Sequence, residues 1–142
     1  MTPMDIARVE TQLNVHLPQD YREVLLNGAE LQSLTHVLGG VVCPFFEFSL
    51  FLNADESISV NKWERNPEAA TEYVFPGWWR EYFIIGTNGG GDYFCVRLDG
   101  SQGVWFLCND NGEVTRENSS VGVYASIRLQ EYQRSKSDGP GG

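Results

Sequence analysis

The stretch YFIIGTNGGGDYFCVRLD (residues 82–99) places two apolar runs on either side of three consecutive glycines. The second run alternates: Phe94 and Val96 fall on one face of an extended chain, and Cys95 and Arg97 fall on the other. Alternation with a period of two predicts a strand, so the stretch is interpreted as strand, turn and strand. The glycines permit the positive backbone angles that a sharp turn requires.

A glycine-rich loop can also bind phosphate, and residues 86–92 must be compared with that role. A Walker loop needs a lysine that reaches the phosphates, and residues 86–92 contain none. A dinucleotide-binding loop opens a helix, whereas the residues after Asp92 alternate as a strand. The Asp92 carboxylate would also repel phosphate. The loop is therefore interpreted as a turn in which Asp92 bonds to backbone amides.

More strand signals flank this hairpin. Those that follow it are a turn pair at 99–100, the run GVWFLC at 103–108, the turn NDNG at 109–112 and the run EVT at 113–115. Together with residues 82–99 they predict an antiparallel meander of about four strands. Earlier in the chain, THVLGGVVCPFFEFSLF (35–51) is rich in Val and Phe around a Gly-Gly pair, which predicts a further hairpin or pair of short strands.

Helix signals lie on both sides of the strand-rich region. Thr2 is placed to cap a first helix, and a second helix is predicted within LPQDYREVLLNG (17–28). A third is predicted within NADESISVNKWERN (53–66), capped by Asn53 or Asp55. A terminal helix is predicted within SSVGVYASIRLQEYQR (119–134).

The length and composition of the chain indicate one domain. A chain of 142 residues is long enough for one core and short for two, so residues 1–134 are assigned to a single domain. Residues 135–142, SKSDGPGG, are expected to form a flexible tail. No run approaches the roughly 18 apolar residues of a membrane span, and the N-terminus lacks the features of a signal peptide. We therefore expect a cytoplasmic protein without a membrane partner.

The net charge of −9 is unevenly distributed. Five acids and no Lys or Arg lie between Arg22 and Lys62, and three acids lie unopposed between Arg97 and Arg116. We therefore expect no nucleic-acid partner, because phosphate binding requires clustered Lys and Arg. A basic protein partner would be favoured electrostatically, although acidic surfaces also serve solubility alone.

Residues for catalysis or metal binding form no recognisable pattern. The three cysteines have no C-x-x-C spacing, and the two histidines lie far from them in the sequence. No G-x-S-x-G motif occurs, and no second acid is spaced to pair with Asp92. We therefore expect no metal, no cofactor and no enzymatic activity.

Three blocks of the sequence together resemble the SUKH superfamily, which includes fungal cell-wall-synthesis regulators and many bacterial toxin-immunity proteins. They are IARVETQLNVHLPQDYREVLLNG (6–28), WWREYFIIGTNGGGDYFCVRLD (78–99), and GVWFLCNDNGEV (103–114) with VYASIRLQEY (123–132). The second block is the most characteristic one. The chain departs from the usual pattern at residues 26–29 and at Ser126-Ile127.

The resemblance implies an α+β domain, with helices at both ends of the chain packed against an antiparallel sheet of about six strands. It also implies a non-catalytic binding module that neutralises a polymorphic toxin, frequently a nuclease. The alternative is an interaction or scaffold protein in cell-wall or stress regulation. A third class, a small-ligand binder or enzyme using residues 89–92, ranks behind both.

Candidate partner contacts are of two kinds. Acidic residues at Glu47, Asp55, Glu56, Asp92 and Asp110 would meet a basic toxin domain. Two tryptophans, Trp63 and Trp79, are candidate aromatic anchors, because tryptophan is enriched at binding hot spots. Packing in the core is the other interpretation of these tryptophans.

Overall fold

The computed structural model describes residues 1–27, 37–38, 41–42, 50–51, 53–65, 78–87, 92–108 and 112–137. The helices there are α1 (Pro3–Leu13), α2 (Gln19–Leu26), α3 (Ala54–Glu64), a 3₁₀ turn (Trp78–Arg80) and α4 (Val121–Ser137). The strands are β1 (Val37–Leu38), β2 (Val41–Val42), β3 (Tyr82–Thr87), β4 (Tyr93–Arg97), β5 (Val104–Leu107) and β6 (Val114–Asn118). Helices packed on an antiparallel sheet confirm the predicted α+β class.

Among the described residues the main sheet contains four strands in the order β3-β4-β5-β6, each antiparallel to its neighbour. The predicted meander is confirmed, and the described part of the sheet has four strands where the resemblance implied about six. In the described ranges β1 and β2 form a separate two-stranded sheet. They do not extend the main sheet at β3, because other groups bond to the outer edge of that strand. The Phe51 N–H donates to the Ile85 carbonyl at 2.7 Å, and α3 covers Ile84.

Helix α1 begins where the sequence predicts. The hydroxyl of Thr2 accepts from the Asp5 N–H at 3.1 Å, and the Asp5 carboxylate accepts from the Thr2 N–H at 2.9 Å. This reciprocal capping box satisfies donors that the first helical turn leaves open. Ile6 and Val9 are buried on the inner face of the helix.

The two faces of the main sheet bury two apolar clusters. Phe94 and Val96 point toward α1, α2 and α4, whereas Cys95 points to the opposite face, so the predicted alternation is confirmed. The helix-side cluster includes Ile6, Val9, Tyr21, Leu25, Phe83, Ile85, Val104, Val121 and Tyr124. The opposite cluster comprises Phe51, Trp78, Tyr82, Ile84, Cys95 and Leu107.

Helix α4 continues to Ser137, past the predicted domain boundary at residue 134. Residues 138–142 and residues 88–91, where the sequence predicts a glycine turn, lie outside the described part of the chain. The domain boundary and the flexible tail therefore stay predictions.

Gly103 precedes β5 in a conformation that a side chain would strain, with φ of 135°. A Cβ there would lie 2.9 Å from Arg116 Nε and 2.9 Å from the Asn118 carbonyl oxygen. We expect Gly103→Ala to destabilise the fold by about 2 kcal/mol, because the Asn118 carbonyl oxygen belongs to the backbone and cannot move away from the added Cβ without disturbing β6. Urea unfolding followed by circular dichroism measures this change.

Gly122 provides the matched control for that substitution. It lies in the first turn of α4, where an added Cβ would meet, among the described residues, only Ser120 Oγ, at 3.8 Å. Gly122→Ala should be neutral or stabilising by up to about 1 kcal/mol, because alanine is the better helix former. Equal losses of stability in the two variants would contradict the strain argument.

Candidate functional site: the outer face of helix α3

Three of the predicted contact residues lie on helix α3. The Asn53 side chain caps the helix by accepting from the Glu56 N–H at 3.2 Å. Asp55 and Glu56 then occupy the first turn, where negative charge interacts favourably with the helix dipole, and Lys62 occupies the last turn. The acidic pair therefore stabilises its own helix as well as exposing charge.

The inner side of α3 is fixed to the edge of the main sheet by Asn61, which is fully buried. Its Nδ2 donates to the Ile84 carbonyl at 2.9 Å, and its Oδ1 accepts from the Ile84 N–H at 2.9 Å. A side-chain amide thus makes the two hydrogen bonds that a further strand would make with the backbone of Ile84. One turn later, Arg65 Nη2 donates to the Tyr82 carbonyl at 3.4 Å.

Helix α1 supports α3 from the side through two polar contacts. Arg8 pairs with Asp55 at 2.7 Å, and Lys62 Nζ donates to Gln12 Oε1 at 2.8 Å. Both contacts lie at the surface, where an ion pair contributes at most about 1 kcal/mol. Arg8 neutralises part of the negative charge that the sequence predicts here, since it bonds directly to a predicted contact residue.

Trp63 points away from the sheet. It lies two residues after the buried Asn61, a rotation of about 200° around a helix, and 63% of its surface is exposed. The exposed residues of the helix are Asp55, Glu56, Ser59, Lys62 and Trp63, and we call this set the α3 face. Core packing is therefore the wrong interpretation of Trp63. An exposed tryptophan bordered by charges has the composition of a protein-binding hot spot.

Helix α3 runs antiparallel to β3, because Asn61 bonds at Ile84 and Arg65 bonds at Tyr82. Its acidic first turn therefore lies toward the end of the sheet where β3 turns into β4, and Trp63 lies toward the opposite end. Asp92 is partly buried at that turn, and its carbonyl accepts from Thr87 Oγ1 at 2.9 Å. The structure thus places the acids 55, 56 and 92 at one end.

Other predicted contact residues cannot be placed. Glu47 and Asp110 lie outside the described residues, and so does the side chain of Trp79. The neighbouring Trp78 is only 3% exposed and packs in the cluster around Cys95. The roles of Glu47, Trp79 and Asp110 therefore stay predictions.

The described residues form no metal-binding cluster, and the Cys95 thiol is buried. They contain no cluster of three or more His, Cys, Asp or Glu side chains that could hold a metal ion. Burial raises the pKa of the Cys95 thiol, which disfavours the reactive thiolate. No helix in these ranges has the length and apolar character to cross a membrane.

A strip of aromatic and cationic side chains crosses the sheet and was not singled out from the sequence. The Trp105 ring lies between two guanidinium groups, with Arg97 5.7 Å and Arg116 5.5 Å from its centroid. Arg97 also lies 5.9 Å from the centroid of the Tyr82 ring. The alternation in β4 predicted which face of the sheet Arg97 lies on. Only the order of the strands could show that Arg97, Trp105 and Arg116 are neighbours on that face.

The architecture defines the class of protein: an antiparallel sheet with helices on one face and a further helix along one edge. The family model of the SMI1 / KNR4 family (SUKH-1) matches residues 1–126, and the chain belongs to this family. The resemblance to the SUKH superfamily is thereby confirmed. Searches of curated proteins and of solved structures gave no match.

Proposed function

We propose that this protein is a non-catalytic, cytoplasmic immunity protein, which binds a cognate polymorphic toxin domain directly and blocks its activity. Membership in the SUKH-1 family is consistent with such a role and also with a role in cell-wall regulation. The observation that carries the proposal is Trp63, because a large aromatic side chain left 63% exposed on a firmly held helix is suited to bury against a partner.

The charge of the chain favours a basic partner. The net charge is −9, and the α3 face carries Asp55 and Glu56 at the end of the sheet that also carries Asp92. Complementary charges of this kind accelerate association and favour one partner over others. The toxin domain would therefore place a basic surface over the acidic end and an apolar pocket over Trp63.

The proposal is tested by isolating the partner. The tagged protein is used to capture proteins from its native cells at low and then high salt, and mass spectrometry identifies what binds in stoichiometric amount. The proposal expects one basic protein whose retention falls at high salt. That protein expressed alone should arrest growth, and co-expression with this chain should restore it.

One other result would contradict the whole proposal, and a second would contradict one part of it. A set of regulatory or wall-associated proteins without toxicity would favour the scaffold role. Equal retention of a toxin at both salt concentrations would refute the electrostatic part while leaving the immunity role in place.

We expect Trp63→Ala to weaken binding of the captured partner by about 2 kcal/mol or more, which is roughly 30-fold in Kd. The fold itself should lose little stability, because the side chain is mostly exposed. Leu26→Ala is the matched control, since Leu26 is a 47% exposed apolar residue on α2. Calorimetric titration of the purified partner into each variant measures the effect, and equal affinities would exclude Trp63 as an anchor.

A further inference from the structure

A groove of about 430 Å³ lies where the C-terminal ends of α1 and α3 meet the 3₁₀ turn and the end of β4. The described residues of its lining are three apolar residues, one amide and two arginines: Leu13, Val15, Leu98, Asn14, Arg65 and Arg80. The volume is within the range of small-molecule sites. No carboxylate belongs to the described lining, although the chain as a whole carries a net charge of −9.

Arg65 is held in one orientation by the sheet edge. Its guanidinium lies 5.6 Å from the centroid of the Phe83 ring, and Nη2 donates to the Tyr82 carbonyl at 3.4 Å. Nη1 is buried and has no hydrogen-bond acceptor among the described residues. A fixed, partly dehydrated guanidinium is well suited to binding, because little side-chain freedom is lost when an anion arrives.

The charge of Arg65 also lacks compensation within the described residues. No carboxylate in these ranges forms an ion pair with it, and burial lowers its pKa to about 10. A cation removed from water without a counter-charge is costly. Arg65 lines the groove, so an anion bound there would supply the missing negative charge.

We propose that this groove binds an organic carboxylate, with the anionic group beside Arg65 and Arg80 and the apolar part against Leu13, Val15 and Leu98. A guanidinium matches the planar geometry of a carboxylate, and two arginine residues line the same groove. The three apolar residues favour such a ligand over inorganic phosphate, because phosphate has no apolar part to pack against them. This inference is independent of the proposed function.

The test uses the full-length, ¹⁵N-labelled protein and 3-phenylpropanoate as the probe. Titration should produce saturable shifts at the Arg65 and Arg80 Nε–H resonances and at the backbone amides of residues 13–15 and 98. The uncharged 3-phenylpropan-1-ol should produce none of them. Acetate and inorganic phosphate should bind more weakly than the probe, because they lack an apolar group.

Variants assign the binding to this groove. Arg80→Gln should weaken the affinity at least tenfold, which corresponds to about 1.4 kcal/mol. Arg80 is exposed, so this variant keeps the test valid if Arg65→Gln fails to fold. Arg22→Gln removes the same charge from α2, outside the groove lining, and should leave the affinity unchanged.

The results that would overturn the proposal are the absence of saturable shifts, equal losses in Arg80→Gln and Arg22→Gln, or phosphate binding as tight as that of the probe. The source of the carboxylate is resolved separately. If Arg80→Gln abolishes capture of a protein partner, an acidic group of that partner occupies the groove. If capture persists while the probe no longer binds, the ligand is a free small acid.

Discussion

Replacing Asp20 by alanine is expected to destabilise the fold by about 3 to 5 kcal/mol, which is a large share of the stability of a typical domain. This carboxylate is 8% exposed and joins three parts of the chain. Oδ1 accepts from the Tyr21 N–H at 2.9 Å, and Oδ2 accepts from the N–H groups of Gly103 at 3.2 Å and Val121 at 3.0 Å.

The position of this carboxylate explains the size of the expected effect. Asp20 lies in the first turn of α2, and Val121 is the first residue of α4, so one negative charge faces the N-terminal ends of two helices. Its removal would leave buried N–H donors without acceptors, and each costs about 1 to 3 kcal/mol. Urea unfolding with linear extrapolation gives the free energy of unfolding.

Two further variants make the prediction specific. Asp20→Asn can keep its oxygen toward Gly103 and Val121 while losing the bond to Tyr21, so we expect a smaller loss, about 1 to 3 kcal/mol. Glu23→Gln alters an exposed acid on the same helix and should change the stability by less than about 0.5 kcal/mol. Similar stabilities for Asp20→Ala and Glu23→Gln would show that the carboxylate does not connect these elements.

Asn61→Ala should cost about 3 kcal/mol and detach the α3 face from the sheet. The substitution leaves the Ile84 N–H and carbonyl unpaired at the outer edge of β3, and it opens a space beneath the helix. Asn61→Asp should be comparably severe. It retains an acceptor for the Ile84 N–H but points a carboxylate oxygen at the carbonyls of Ser57 and Ile84.

Hydrogen exchange distinguishes a local effect at Asn61 from a general loss of stability. The Ile84 amide should exchange faster in Asn61→Ala by a larger factor than the amides of β4, which lies between β3 and β5. Ser59→Ala, on the exposed side of the same helix, is the control and should leave the Ile84 amide protected. A uniform acceleration across the sheet would contradict the edge-capping role.

The sequence predicted part of the candidate site. It selected Asp55, Glu56 and Trp63, but it left open whether the tryptophan belonged to the core. Helical periodicity could not resolve that question, because two of the three buried residues of α3, Ser57 and Asn61, are polar and carry no apolar pattern. The pairing of Asp55 with Arg8 joins residues 47 positions apart and has no local signal.

The sequence by itself determined the elements that depend on local chemistry. The capping box of Thr2 and the alternation in β4 act between residues close along the chain, so their patterns are readable without a structure. Only the tertiary structure decided which residues far apart in the sequence are in contact. The Asp20 carboxylate reaches backbone groups 83 and 101 residues away, and Asn61 takes the place of a strand at Ile84, 23 residues away. Such contacts follow from the packing of whole helices and strands, so they cannot be predicted from residue type or from spacing along the sequence.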